Sequence, residues 1–447
     1  MKKRLTAEET ISISSMLFGM FFGAGNLIFP VFMGQHAGRN IWQALFGFLI
    51  TGVGLPLFGV AALGISKSNG LFELSAKVGK KYALFFTCLL YLTIGPLFAI
   101  PRCATVSYTV GIVPIIFTKS FLPLLIFTFL FFAVVLMFSL KPSGIMTWIG
   151  NILNPIFLLC LGILVVKALI SPMGSISEIS PQSAYESYPF FNGFIEGYNT
   201  MDALAGLAFG IVVVNVIKNL GVKEPGDIAH NTVVAGVLSC LIMAVIYVLV
   251  AIMGAQSRNV YDAYKNGGDA LNSIACHYFG KWGNIVLALT VTFACLKTAI
   301  GLVTSCAESF EEIFKGKLSY RTWAVIFCVF SFLTANLGLD LIIRFSLPVL
   351  MFLYPLAITI ILLALFGKFY NNDKTVYGFV TAFTLFAAIF DFLNALPDTV
   401  KSILHLEKVI GFASRFFPMF DLGLGWICPA VVGFIIGFVI YKSKRRC

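Results

Sequence analysis

The sequence holds 447 residues, 59% of them hydrophobic and only 11% charged, with 31 Lys and Arg against 20 Asp and Glu for a net charge of +11. Soluble domains carry roughly 25% charged residues; a chain this poor in charge cannot cover itself with polar surface and needs lipid as its solvent. The basic excess lies in loops between apolar runs, not in a stripe with polar surroundings, which excludes a nucleic-acid interface.

Uncharged stretches are read as spans at residues 10–35, 40–65, 82–113, 120–140, 143–170, 192–217, 229–255, 282–309, 320–340, 342–367, 375–396 and 422–441, against the ~20 apolar residues a spanning helix requires. The first run outlasts the ~7 to 15 residue apolar core of a signal peptide and is expected to remain as a helix. Twelve helices put both termini on one side. The basic ends Lys2, Lys3, Arg4 and Lys442, Lys444, Arg445, Arg446 assign that side to the cytoplasm of a bacterial cell. Most loop lysines agree, among them Lys77, Lys80, Lys81, Lys218 and Lys315, whereas Arg258, Lys265, Lys281, Lys401, Lys408 and Arg415 fall outside. Only Asp340 and Arg344 mark the boundary between the ninth and tenth spans. No soluble domain interrupts the pattern; residues 256–281 and 397–421 are read as connections, so function belongs inside one membrane domain.

Two spans carry signals of interruption. Gly19 to Pro30 in helix 1 includes Gly23-Ala24-Gly25-Asn26, and Glu196 to Gly206 in helix 6 includes Asn199 and Asp202. At 1.5 Å per residue, Gly23 lies ~20 Å into helix 1 and Asp202 ~15 Å into helix 6, both near the midplane. Interrupted helices at corresponding positions of two five-helix halves, of opposite direction, point to an inverted-repeat transporter. The halves are read as residues 10–170 and 192–367, with 375–441 adding two peripheral helices. Unwound backbone exposes N–H groups and carbonyls where half-helix ends carry partial charge, an arrangement suited to a zwitterion.

Further intramembrane charges occur at Lys297, ~22 Å from the outer start of helix 8, and at Arg102, ~30 Å along helix 3. Lys297 reads as a fixed or proton-exchanging cation, with a side chain that snorkels to the interface as the alternative. Arg102 reads as an interfacial anchor, with a gate pairing to Glu196 as the alternative. Glu308, Asp340, Arg344, Asp391 and Asp421 lie near helix ends, where solvated or capping roles are the default. No GxxxxGK[ST] loop, HExxH or paired-cysteine motif is present, and His36, His230, His277 and His405 are scattered, so neither an enzyme, an ATP-driven pump nor a metal cofactor is expected. The cysteines, such as Cys88, Cys160, Cys240, Cys295 and Cys328, read as small apolar packing residues. A channel would need a repeated Ser/Thr/Asn face, which no span shows.

The stretches FGMFFGAGNLIFP (Phe18 to Pro30), IGPLFAIPR (Ile94 to Arg102), EGYNTMDALAGLAFG (Glu196 to Gly210) and ACLKTAIGL (Ala294 to Leu302) resemble the branched-chain amino acid:cation symporters, the LIVCS or BrnQ family of the amino acid-polyamine-organocation superfamily. The resemblance implies an all-α protein of the LeuT type: ten core helices in two inverted repeats, broken helices 1 and 6, and two peripheral helices. It also implies symport of leucine, isoleucine or valine with Na+ or H+. The substrate would lie between helices 1, 3, 6 and 8, at Gly23, Ala24, Gly25, Asn26, Asn199, Asp202 and Gly206, in an apolar pocket lined by residues such as Leu204, Phe209 and Leu92 that would suit methionine almost as well. Asn26 and Asp202 would also serve a first sodium ion. Gly19, Phe22, Ala294 and Thr298 would serve a second, beside which Lys297 stands where the family usually has an uncharged residue. A protonated amine there would repel Na+ by about 4 kcal/mol at 4 Å and an effective dielectric near 20, and so could take that ion's place.

Overall fold

Backbone in hydrocarbon must satisfy its own N–H and C=O groups, and helices account for nearly all of this chain. The computed structural model describes residues 4–116, 120–141, 144–182, 184–315 and 317–444. Lys2, Lys3, Arg445 and Arg446, used above for orientation, and the side chain of Ala24 lie outside the described residues.

Helix 1 is broken as expected: α1 (Ala7–Phe21) and α2 (Ala24–Ala37) meet at Phe22 and Gly23, both non-helical. The α1 N-terminus is held by a capping box between Thr6 and Glu9. Gly38, at φ 48, divides α2 from α3 (Ile41–Leu49), which continues through a π turn into α4 (Leu55–Ile65). Helix 3 comprises α5 (Lys80–Leu92) and α6 (Ala99–Val106), separated by Thr93–Leu97, where Gly95 and Pro96 bring the backbone out of helical conformation. Then follow α7 (Phe121–Ser139) and α8 (Asn154–Ile170), the latter entered through a π stretch at Met146–Leu153.

The second half begins with α9 (Pro189–Glu196), a 3-10 turn at Gly197–Thr200, and Met201 at φ 65, from which α10 (Asp202–Asn219) departs. It continues with α11 (Pro225–Ser257), α12 (Gly267–Phe279), α13 (Lys281–Ile313), α14 (Tyr320–Ala335) and α15 (Leu339–Leu365). The chain closes with α16 (Lys374–Ala395), α17 (Glu407–Phe416) and α18 (Ile427–Lys444). Among the described residues ten helical runs are long and apolar enough to cross a membrane, and the shorter α14 is also apolar.

Three expectations need correction. The ninth span ends at Ala335 rather than 340: Asn336 turns its amide onto Phe332 O and Thr128, and Gly338, at φ 92 and ψ 159 in a conformation that glycine readily adopts, precedes the next helix. Residues 256–281 hold α12, capped by the Asn266 side chain on Asp269 N at 2.9 Å and buried along Ala270, Leu271, Ile274 and Ala275. Residues 397–421 likewise hold α17 and a shorter helix, Asp398–Ile403. Around the centre, α1 packs on α11, α13 and the π stretch before α8, α10 packs on α4 and α13, and α15, α16 and α18 pack in series.

Candidate functional site

Three helices, α2, α6 and α10, start at the middle of the bundle, each after a break in the chain. The first N–H groups of a helix lack intrahelical acceptors and carry partial positive charge. At α2, the Asn26 side chain reaches back to accept the Gly23 N–H at 2.9 Å, while Nδ2 donates to Asp202 Oδ2 at 2.6 Å and to the Tyr247 hydroxyl. Tyr247, on α11, donates to the same Asp202 oxygen at 2.7 Å. Asp202 is 2% exposed and sits in the first turn of α10, where an anion is favoured by the helix dipole. Its N–H donates to Thr200 Oγ1 at 3.3 Å, and that hydroxyl donates to Gly197 O at 2.8 Å, tying down the turn between the halves of helix 6.

Arg102 is not interfacial. It is 4% exposed, in the first turn of α6, and its Nη1 and Nη2 donate to the carbonyls of Asn199 and Thr200 at 2.8 and 3.4 Å. The run Lys80–Ile116 covers 37 residues, far more than the ~20 that cross the hydrocarbon, so counting depth from its start overshoots. The alternative, a pairing with Glu196, does not form either: among the described residues no carboxylate lies within ion-pair distance of Arg102, whose guanidinium rests 5.4 Å from the Phe29 ring centroid.

These groups enclose a central cavity of about 20 Å³, room for roughly one water. Its polar wall is Gly23, Gly25, Asn26, Arg102, Thr200, Asp202 and Thr298; its apolar wall includes Met20, Phe21, Ile94, Ala205, Phe209 and Leu302. Phe21 and Phe209 meet with ring centroids 5.5 Å apart. The bundle is closed around its centre.

Several assignments from the sequence shift. Of Leu204, Phe209 and Leu92, only Phe209 faces the cavity: Asp202, Ala205 and Phe209 share one face of α10, and Leu204 turns away from it. Gly206 also faces away, packed so tightly on α4 that a Cβ there would lie 2.6 Å from Pro56 O. Asn199 contributes its carbonyl to Arg102 and does not line the cavity. Gly23 lines it and must be small, since a Cβ would stand 2.9 Å from Thr298 Oγ1.

The second cluster lies beside the first. Thr298 Oγ1 donates to Gly19 O at 3.4 Å, and Ala294 is buried on the same helix. Lys297, 0% exposed, directs its ammonium into the seam between α1 and α8, where it donates to Asn154 Oδ1 at 3.1 Å and lies over three rings: Phe157 at 3.7 Å, Phe18 at 4.9 Å and Phe22 at 5.7 Å. Asn154 Nδ2 in turn donates to Ser15 Oγ at 2.8 Å. Among the described residues no carboxylate pairs with Lys297, so aromatic faces and one amide oxygen hold it.

Tyr247, Asn154 and Phe157 escaped the sequence reading. Tyr247 and Asn154 were findable, being polar groups well inside apolar runs where backbone and lipid offer them no partner. The break in helix 3 also had a signal, Gly95-Pro96 in mid-span.

The chain matches the family described as branched-chain amino acid transport protein over residues 6–444. It is 51% identical to the branched-chain amino acid permease BrnQ of Lactobacillus delbrueckii subsp. lactis, covering 100% of both chains. It is 42% identical to the branched-chain amino acid permease BraB of Bacillus subtilis over 98% of this chain and 97% of that one. It is 37% identical to BrnQ of Escherichia coli over 100% and 98%. Among solved structures it shares its fold with Mhp1, a nucleobase-cation-symport-1 family transporter (TM-score 0.63, 13% identity, 97% and 93% coverage), and with MhsT crystallised in complex with L-phenylalanine (TM-score 0.57, 16%, 98% and 99%). The all-α LeuT-type architecture expected from the sequence is the one observed, and the chain is a member of the branched-chain amino acid transport protein family.

Proposed function

We propose that this protein imports leucine, isoleucine and valine across the bacterial cytoplasmic membrane by cation symport, with both termini in the cytoplasm and two inverted five-helix repeats, residues 10–170 and 192–367, alternating access to the central cavity. The observation that carries the reading is the division of that cavity into a polar wall bearing both a guanidinium and a carboxylate and an apolar wall of aliphatic and aromatic side chains. The cavity as it stands holds about one water, so the half-helices around it must part to admit an amino acid, and the two walls then give a zwitterion one orientation. The carboxylate lies toward the start of α2 and Arg102, the ammonium lies toward Asp202, and the side chain lies against Phe21, Ile94, Phe209 and Leu302. One methylene is worth about 0.8 kcal/mol, so a wall of this kind accepts all three branched amino acids with similar affinity. Methionine is close enough in size to compete.

Coupling rests on the seam holding Lys297. Its aliphatic stem passes Gly19, with Cδ 3.6 Å from where a Gly19 Cβ would stand, so its charge is carried past the Gly19 and Thr298 pair that would otherwise help hold a sodium ion, and three rings favour the charged form by cation–π attraction of about 0.5 to 2 kcal/mol each. Lys297 therefore stands in for that ion, and release and uptake of its proton couples transport to the proton gradient. The test is uptake of labelled leucine by proteoliposomes under a sodium or a proton gradient, in wild type and in Lys297→Thr. The expected result is proton-driven accumulation in wild type and a gain of sodium stimulation in the variant; sodium-driven uptake that is unchanged in Lys297→Thr contradicts it.

A further inference from the structure

The connection between α16 and α18 carries α17, and most of that helix is uncovered: of its residues only Ala413 is buried. Val409, Phe412 and Phe416 recur at i, i+3 and i+7, which puts them on one face. They are 39%, 51% and 67% exposed, and the two phenylalanine rings stack with centroids 4.4 Å apart. Glu407 stands on the opposite side of the helix, while Lys408 and Arg415, both exposed and about two turns apart, form one row on the flank between the two.

An apolar plate this exposed is unfavourable in water and marks a face that something covers. The depth of α17 says what does. α16 has 22 residues, about 33 Å at 1.5 Å each, so its last residue, Ala395, stands near one edge of the roughly 30 Å hydrocarbon. Phe390 and Phe386 lie about 8 and 14 Å back along it, and the ring of Phe417, the residue that follows α17, meets theirs at 5.4 and 6.3 Å. α17 therefore ends at the boundary between headgroups and acyl chains. Through Phe417 its apolar face joins the surface that Phe386 and Ile389, 57% and 45% exposed on α16, present to lipid.

We infer that α17 is an in-plane anchor in the leaflet at that end of α16, the outer one if both termini are cytoplasmic: Val409, Phe412 and Phe416 enter the upper acyl region, and Lys408 and Arg415 bind the phosphate of an anionic phospholipid. Amphipathic helices that lie in the interface bury such a face by about 5 to 10 Å, the level at which Phe417 holds this one. The flanking cations then keep their stems against the acyl chains and raise their charges to the phosphate. Both charges are free for it. Among the described residues no carboxylate lies within ion-pair distance of either, whereas Lys401, on the preceding short helix, is engaged by Asp398 at 2.8 Å and by Asn394 O at 3.2 Å. Two unpaired cations in one row favour a headgroup of net negative charge over a zwitterionic one, whose own ammonium would be left facing them. An anchor there fixes the connection between α16 and α18, which pack in series with α15.

The experiment places Phe412→Trp, in the full-length protein, into vesicles of phosphatidylcholine and phosphatidylglycerol in which one lipid or the other carries bromine on its acyl chains in both leaflets. It reads the fluorescence that the variant adds to that of the five native tryptophans, after a check that leucine binding and melting temperature match the wild type. The added fluorescence is expected to be quenched by brominated lipid and untouched by aqueous iodide, with brominated phosphatidylglycerol preferred over brominated phosphatidylcholine by about fivefold for each cation. Adding Lys408→Gln and Arg415→Gln should bring that preference to near unity while quenching by brominated lipid persists. Quenching by iodide and not by brominated lipid overturns the anchor by leaving α17 in water. Quenching by neither assigns the face to a second copy of the chain and overturns it too. Equal quenching by the two brominated lipids, or a preference that survives the double substitution, overturns the anionic site at Lys408 and Arg415. Should Phe412→Trp not fold, Phe416→Trp on the same face gives the same readout.

Discussion

Neutralising Asp202 separates its proposed role in substrate recognition from its role in the fold. One oxygen accepts two hydrogen bonds, from Asn26 Nδ2 at 2.6 Å and Tyr247 OH at 2.7 Å. In Asp202→Asn the amide oxygen can still accept both. Charge-assisted bonds are worth about 1.5 to 3 kcal/mol and neutral ones about 0.5 to 1.5, so the two contacts weaken by about 2 kcal/mol in total. A neutral amide is easier to bury than a carboxylate, which offsets much of that loss, and the melting temperature should change little. The substrate ammonium, by contrast, loses its only charged partner in a closed cavity, at about 3 kcal/mol, or roughly 150-fold in Kd. Asp202→Ala should behave differently: it removes both acceptors, leaves Asn26 and Tyr247 donors unpaired at about 1 to 3 kcal/mol each, and lowers the melting temperature as well as binding. The assay is equilibrium binding of labelled leucine to purified protein beside a thermal melt. Leucine affinity in Asp202→Asn within threefold of wild type, at equal folded fraction, would remove Asp202 from the substrate site.

Arg102→Lys should lower leucine binding by about thirtyfold or more, because one ammonium cannot reproduce the two-carbonyl fork and also face a carboxylate. The same variant should lose the preference for leucine over leucinamide, and a preference kept at its wild-type ratio refutes carboxylate recognition by Arg102. Gly206→Ala should act on the fold alone: forcing α10 off Pro56 O costs about 1 to 3 kcal/mol, seen as a lower melting temperature with KM for leucine unchanged in the protein that folds. A raised KM with no loss of stability would return Gly206 to the substrate site. Phe157→Leu removes the ring 3.7 Å from the Lys297 ammonium, about 1 kcal/mol or more of cation–π attraction, and should shift the pH dependence of leucine uptake if the proposed proton coupling holds; an unchanged pH profile would contradict a coupling role for that seam.

The parts of this account legible in the sequence were those written in backbone chemistry. Glycines beside Asn26 and an intramembrane Asp202 told where helices 1 and 6 must break, because only a cavity tolerates free N–H and C=O groups in lipid. Lys297 announced itself in the same way, as a charge in an apolar run. What remained hidden depended on rotation and register. Whether Leu204 or Ala205 faces the cavity is a matter of about 100° around α10, which only packing against α4 and α13 decides. Arg102 was misplaced because depth was counted along a helix longer than the membrane is thick, and Asp391, which is buried, because proximity to a helix end was taken for exposure. Tyr247 could be matched to Asp202 only once α11 was docked against α1 and α10, since the two lie 45 residues apart.

The central claim is that one cavity holds both charged ends of a branched amino acid. The most direct measurement is displacement of labelled leucine from the purified protein by isoleucine, valine, leucinamide and isocaproate. Isoleucine and valine should displace it at concentrations within about tenfold of leucine itself, as differences of a methylene allow. Leucinamide, which lacks the carboxylate, and isocaproate, which lacks the ammonium, should fail to displace it over the same range. Displacement by either analogue as readily as by leucine would contradict a site built from the α2 N-terminus, Arg102 and Asp202.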